Sequence, residues 1–135
     1  MALTEHEQAE LASHHNHRIE TYKSMVSISV ESFKFLALLN GGAAAGMLAT
    51  IDKLRVAIQH DALQNALSYF VFGLGCNGCA MLFSYVTQVA LYNESIGLIP
   101  KNRHRFTLYC SLIFTLASLM AFCVGAFGAL DGLKP

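Results

Sequence analysis

From Ala62 to Asn93 the chain runs 32 residues without a Lys, Arg, Asp or Glu, and from Phe106 to Leu130 it runs another 25. Runs of this kind leave few folds open, because a helix with no charged residue over about seven turns has no face to offer to water. A spanning helix needs about 20 mainly apolar residues, since at about 1.5 Å per residue it must cross a hydrocarbon core of about 30 Å. Both runs exceed that length. A third, Phe35 to Ile51, has 17 residues between Lys34 and Asp52. It reaches across if the Lys34 stem lies along lipid while its ammonium group snorkels to the interface. The expected fold is all-α, an integral membrane protein with three transmembrane helices at 33–51, 62–92 and 106–130, in a single membrane domain covering 1–135.

Apolar residues make up 54% of the chain and charged ones 13%, about half the charge of an average soluble domain. The formal net charge is zero, so no bulk attraction to duplex nucleic acid is expected. The start of the chain carries Glu5, Glu7, Glu10 and Glu20 beside a histidine-rich stretch, the opposite of the basic start of a cleaved signal peptide. It reads as a polar and amphipathic helix over 4–30, with Thr4 as N-cap and Glu7 in capping-box spacing. Ile19, Tyr22, Val26, Val30 and Phe33 recur every three or four residues and lead into the first span without Gly or Pro. One helix from Thr4 to Ile51 would be about 70 Å long, so the first span is expected to be extended by a long cytoplasmic helix. Its stripe needs a partner, either other copies or the connecting loops.

The spans are joined by Asp52 to Asp61 and by Glu94 to Arg105, where Gly97 and Pro100 break the helix. With three crossings, Arg18, Lys23, Lys34, Lys101, Arg103 and Arg105 share one side, against Lys53, Arg55 and Lys134 on the other. The positive-inside rule then expects the N-terminus in the cytoplasm and the C-terminus outside.

Small residues recur at helical spacing. Gly42 and Gly46 lie four apart in the first span, beside Gly41, Ala45 and Ala49, the middle span offers Gly75 and Cys79, and the last has Ala117, Ala121, Gly125 and Ala129. In a bilayer, close packing through such rows drives helix association, so packing between spans or between copies is expected, with a homo-oligomer as the anticipated state. Asn40 and Asn77 admit two readings, an interhelical hydrogen bond of about 1 kcal/mol or a ring of amides lining a path between copies. No ionisable side chain stands in the middle of any span, which counts against proton relays and voltage sensing.

Cys76-Asn77-Gly78-Cys79 has the C-x-x-C spacing of a thiol-redox or metal site. Its position in mid-span favours packing instead, because a thiolate there is costly and soluble reductants are excluded. His14 and His17 share a helical face, but no carboxylate or Cys completes a metal set. No catalytic residue, nucleophile-base pair, phosphate-binding glycine loop or cofactor site emerges. Lys101, Arg103, His104 and Arg105, with Phe106, Tyr92 and Tyr109 nearby, form a basic and aromatic cluster next to the last span. Such a cluster holds anionic lipid headgroups or, repeated around an oligomer, an anionic ligand such as a nucleotide.

Glu31 to Ala49, E-S-F-K-F-L-A-L-L-N-G-G-A-A-A-G-M-L-A, resembles the first span of a widespread group of small bacterial multi-span membrane proteins carrying a similar L-L-x-N-G-G-A-A stretch after a polar lead-in. The layout is also similar to small membrane effectors of bacterial antiphage systems and to holins, although a strongly basic C-terminal tail is missing. The resemblance implies the bacterial inner membrane and a short pore-forming effector; with the packing rows, the lack of an enzymatic constellation and the basic loop, the expected function is a homo-oligomeric channel or membrane-disrupting effector gated by an anionic ligand at Lys101, Arg103, His104 and Arg105. The alternative is a non-conducting accessory or scaffold subunit of a larger membrane complex.

Overall fold

A computed structural model describes residues 5–134, with the side chains of 5 and 7 outside the description. The Thr4–Glu7 capping box therefore lies outside the described residues. The chain is all-helical, with α1 (Glu5–Ala49), α2 (Ile51–Ala57), α3 (His60–Ser95) and α4 (His104–Asp131), and no strand among the described residues. Three of these helices are long and apolar enough to cross a membrane. One boundary differs from expectation. The first span ends at Ala49, and the segment read as a plain connection from Asp52 to Asp61 contains the short helix α2. Thr50 makes the break: its hydroxyl donates to the Gly46 carbonyl (2.8 Å) and its backbone leaves the helical region at ψ 17.

The chain divides between Ser32 and Phe33 into two units. In the first, the described residues are helical, and Ile19, Tyr22, Val26 and Val30 are exposed. Two of its seryl hydroxyls turn back on the helix, Ser29 to the Met25 carbonyl and Ser32 to that of Ile28.

The second unit packs the end of α1 with α3 and α4. Six of the eight buried positions of α3, Leu63, Ala66, Phe70, Gly73, Asn77 and Ala80, alternate three and four apart, with Cys76 and Thr87 the other two; this is the spacing of a left-handed bundle seam. Leu36, Asn40 and Ala44 of α1 and Ser111, Ser118, Ala121 and Gly125 of α4 complete it. Apart from Leu36, Leu63 and Phe70, this interior is small and polar. Large apolar side chains point outward instead, among them Leu38, Phe72, Leu82, Ile113, Leu116 and Phe127. A water-soluble bundle has the reverse distribution. With lipid as solvent there is no gain from hiding Leu or Phe, and short side chains let the backbones approach.

Both ends of this unit are fastened. At one, the Gln59 N–H donates to the Gly132 carbonyl and the Lys134 N–H to that of Ala57, each 2.9 Å, with Ile58 buried between. A Cβ on Gly132 would overlap that of Ala62, so only glycine admits this close approach. At the other, the chain turns through Gly97 (φ 76) and Asn102 (φ 73).

Candidate functional site

At the centre of the seam one residue from each long helix meets. The Asn40 amide of α1 is fully buried, and its Nδ2 donates to the Leu36 carbonyl and to both the carbonyl and hydroxyl of Ser118, each 3.2 Å away. Its Oδ1 occupies the place where a Cβ would sit on Gly73, against the α3 backbone, and has no conventional hydrogen-bond partner. Absence of a side chain at Gly73 therefore gives the Asn40 amide its room, and a Cα–H edge is what the carbonyl oxygen faces. Toward the α3–α4 loop, Asn77 Nδ2 donates to the Phe33 carbonyl (2.9 Å), while its Oδ1 is likewise without a partner.

Further along, the Ser111 hydroxyl bonds the Ala80 carbonyl (2.9 Å). Thr87 joins Thr107 hydroxyl to hydroxyl at 2.8 Å, and Thr107 donates to the His104 carbonyl. Each helix pair thus carries at least one polar stitch. Such a stitch contributes about 0.6–2 kcal/mol in a membrane.

Within the chain both amides are buried and donate to its own helices, Asn40 to α4 and Asn77 to α1, as interhelical hydrogen bonds do.

The small-residue rows fall into two kinds. Ala121 and Gly125 are buried, and Ala117 and Ala129 half-buried, on the inner face of α4. A Cβ on Gly125 would come within 2.9 Å of the Phe70 ring and 3.1 Å of the Ala66 carbonyl, so this row is filled by α3. Gly42 and Gly46 are exposed: a Cβ on Gly46 would meet nothing within 4 Å, and one on Gly42 only Leu38 of its own helix. Gly75 is also open to the outside. Among the cysteines, Cys76 is buried and Cys79 half-buried, and both are free thiols.

Around the α3–α4 loop, Lys101 and Arg103 of the turn and Arg105 of α4 are exposed, as are Tyr92 at the end of α3 and Phe106 and Tyr109 at the start of α4. His104 is not part of that exposed set. Its ring Nδ1 lies 3.0 Å from both carboxylate oxygens of Glu94, and the same carboxylate accepts the backbone N–H of Asn102 (3.0 Å) and of His104 (2.8 Å). Glu94 thereby reaches from the end of α3 to cap the first turn of α4, where free N–H groups and the helix dipole favour a negative charge. Burial pushes the Glu94 carboxyl up, but the hydrogen bonds from His104 and Asn102, with the His104 charge, outweigh it and hold the group below its ordinary range.

Gly73, Ser118 and Glu94 escaped the sequence reading. The signal for Gly73 was present: it stands seven residues from both Ala66 and Ala80, the repeat of a seam. Glu94 and His104 are ten residues apart across a turn, and no helical periodicity links them. Comparison with protein-family models, curated proteins and solved structures finds no match to this chain.

Proposed function

We propose that the protein is a self-associating scaffold subunit of a membrane complex, its copies joining through the Gly42–Gly46 face of α1. What carries this reading is the contrast between two equivalent rows: the one on α4 is filled within the chain, while the one on α1 stays open. A second copy set against Gly42 and Gly46 would bring two backbones close, the arrangement that stabilises helix pairs in lipid. Conduction is not needed for it. With Asn40 and Asn77 turned inward, a path between copies through this face would be lined by glycine, alanine and large apolar side chains.

The second reading is a homo-oligomeric channel or membrane-disrupting effector of a bacterial inner membrane, of the kind the antiphage and holin likenesses imply. The exposed cations Lys101, Arg103 and Arg105 favour it, since they offer an anionic ligand such as a nucleotide a place to act. In either case the positive-inside rule puts these cations and the N-terminus in the cytoplasm.

Purified protein in mild detergent and in dye-loaded liposomes separates the readings. The scaffold predicts an oligomer that the Gly42→Leu/Gly46→Leu variant converts to a helical monomer, and vesicles that stay sealed. A wild-type monomer would sink self-association. Dye release by the wild type, lost in the double variant, would replace the scaffold by the channel.

A further inference from the structure

The two ends of the second unit differ in charge. At the end formed by α2 and the start of α3, the exposed charges balance: Asp52, Asp61 and Asp131 against Lys53, Arg55 and Lys134. At the α3–α4 loop they do not, because Lys101, Arg103 and Arg105 are exposed while the carboxylate of Glu94 is drawn inward as the cap of α4, with 10% of its side chain accessible. The loop thus shows an outer surface of one sign. Length points the same way. The uncharged run of α3 from Ala62 to Asn93 is about 48 Å long at about 1.5 Å per residue, against about 40–45 Å for hydrocarbon and both headgroup layers together. A tilt of ordinary size brings both ends of α3 into headgroups. Tyr92, Phe106 and Tyr109 are 65%, 72% and 61% exposed around this same end, and the two tyrosines are amphipathic rings of the kind that sit at the membrane–water boundary.

We propose that the loop end of α3 and α4 is a binding site for the phosphate groups of anionic phospholipids, held by Lys101, Arg103 and Arg105, with the three neighbouring aromatic rings seated in the headgroup layer. The lipid supplies a fixed negative charge at the depth where the cations emerge. Arg103 and Arg105 flank the first residue of α4 and Lys101 lies in the turn before it, so the Glu94 cap holds the backbone from which the three cations project. The site does not depend on how copies associate.

The full chain, extracted from vesicles of equal phosphatidylcholine and phosphatidylglycerol, is weighed by native mass spectrometry to count retained lipids. Wild type is expected to retain phosphatidylglycerol in preference. Each loop cation changed to Gln should reduce that preference by about fivefold, and Lys101→Gln/Arg103→Gln/Arg105→Gln should abolish it. Lys53→Gln/Arg55→Gln at the balanced end should leave it intact. Protection of the Asn102 and His104 amides from exchange reports that the triple variant keeps its loop. Equal loss in both variants, no preference in wild type, or displacement of the lipid by millimolar nucleotide would each overturn the proposal.

Discussion

Gly73→Ala tests the packing of the seam most directly, because its Cβ would fall on Oδ1, Cγ and Nδ2 of Asn40 at once. No rotation of a flexible tip relieves this: the amide is held on its far side by Leu36 and Ser118. Forcing a methyl group into a filled interior costs about 1–3 kcal/mol. Displacing Asn40 from Ser118 forfeits an interhelical bond of about 0.6–2 kcal/mol. Alanine returns about 1 kcal/mol through its helix propensity, so the expected net loss is about 0.6–4 kcal/mol. Unfolding in mixed dodecyl maltoside and SDS micelles, followed by circular dichroism, measures it as an earlier midpoint. Gly78→Ala is the internal control, since its Cβ meets nothing. Asn40→Ala removes the obstruction, so the Asn40→Ala/Gly73→Ala pair should be more stable than the sum of the single changes by about 1 kcal/mol or more. A wild-type midpoint for Gly73→Ala, or strictly additive single effects, would refute the three-helix node.

Gly125→Ala should lose about 1–3 kcal/mol by crowding the Phe70 ring and the Ala66 carbonyl, with partial recovery when Phe70→Leu is added; an unshifted unfolding midpoint contradicts the close approach of α3 and α4. The Glu94 clasp predicts an acid response whose sign follows from its lowered carboxyl. Its stabilisation is complete above about pH 4.3, the ordinary carboxylate value, and is lost as pH falls through the lower value of the folded state. Amide exchange at Asn102 and His104, corrected for intrinsic rates, should show protection at pH 6 that declines below pH 4, and Glu94→Gln should flatten that dependence. Undiminished protection at pH 3 in the wild type would remove the cap.

The helices were legible in the sequence because a span is announced by what it lacks: the charge-free runs after Ala62 and Phe106 lie inside α3 and α4. Pairing was less legible. Rows such as Gly42–Gly46 and Ala121–Gly125 look alike along the chain, and only the positions of their neighbours show that one is filled and the other open. Asn40 was recognisable as a polar residue in lipid, whereas its partner Ser118 is an ordinary small residue in a span, distinguished only by standing opposite. The Glu94 cap was hidden for another reason. It spans a turn set by Gly97 and Asn102 in left-handed conformations, and such turns bring together residues that no fixed spacing relates.

The seam of Ala66, Gly73, Asn40, Ser118 and Gly125 also limits how the molecule can be re-engineered. Exchanging the outer Leu, Phe and Val for Glu and Lys would give a hydrophilic coat around an interior with little oil in it. Burial yields about 25 cal/mol for each Å² of apolar surface, and glycine, alanine and serine have little to contribute. A version meant for water would need its inner layers refilled with Leu and Ile and its helices moved apart to hold them, which amounts to a different bundle.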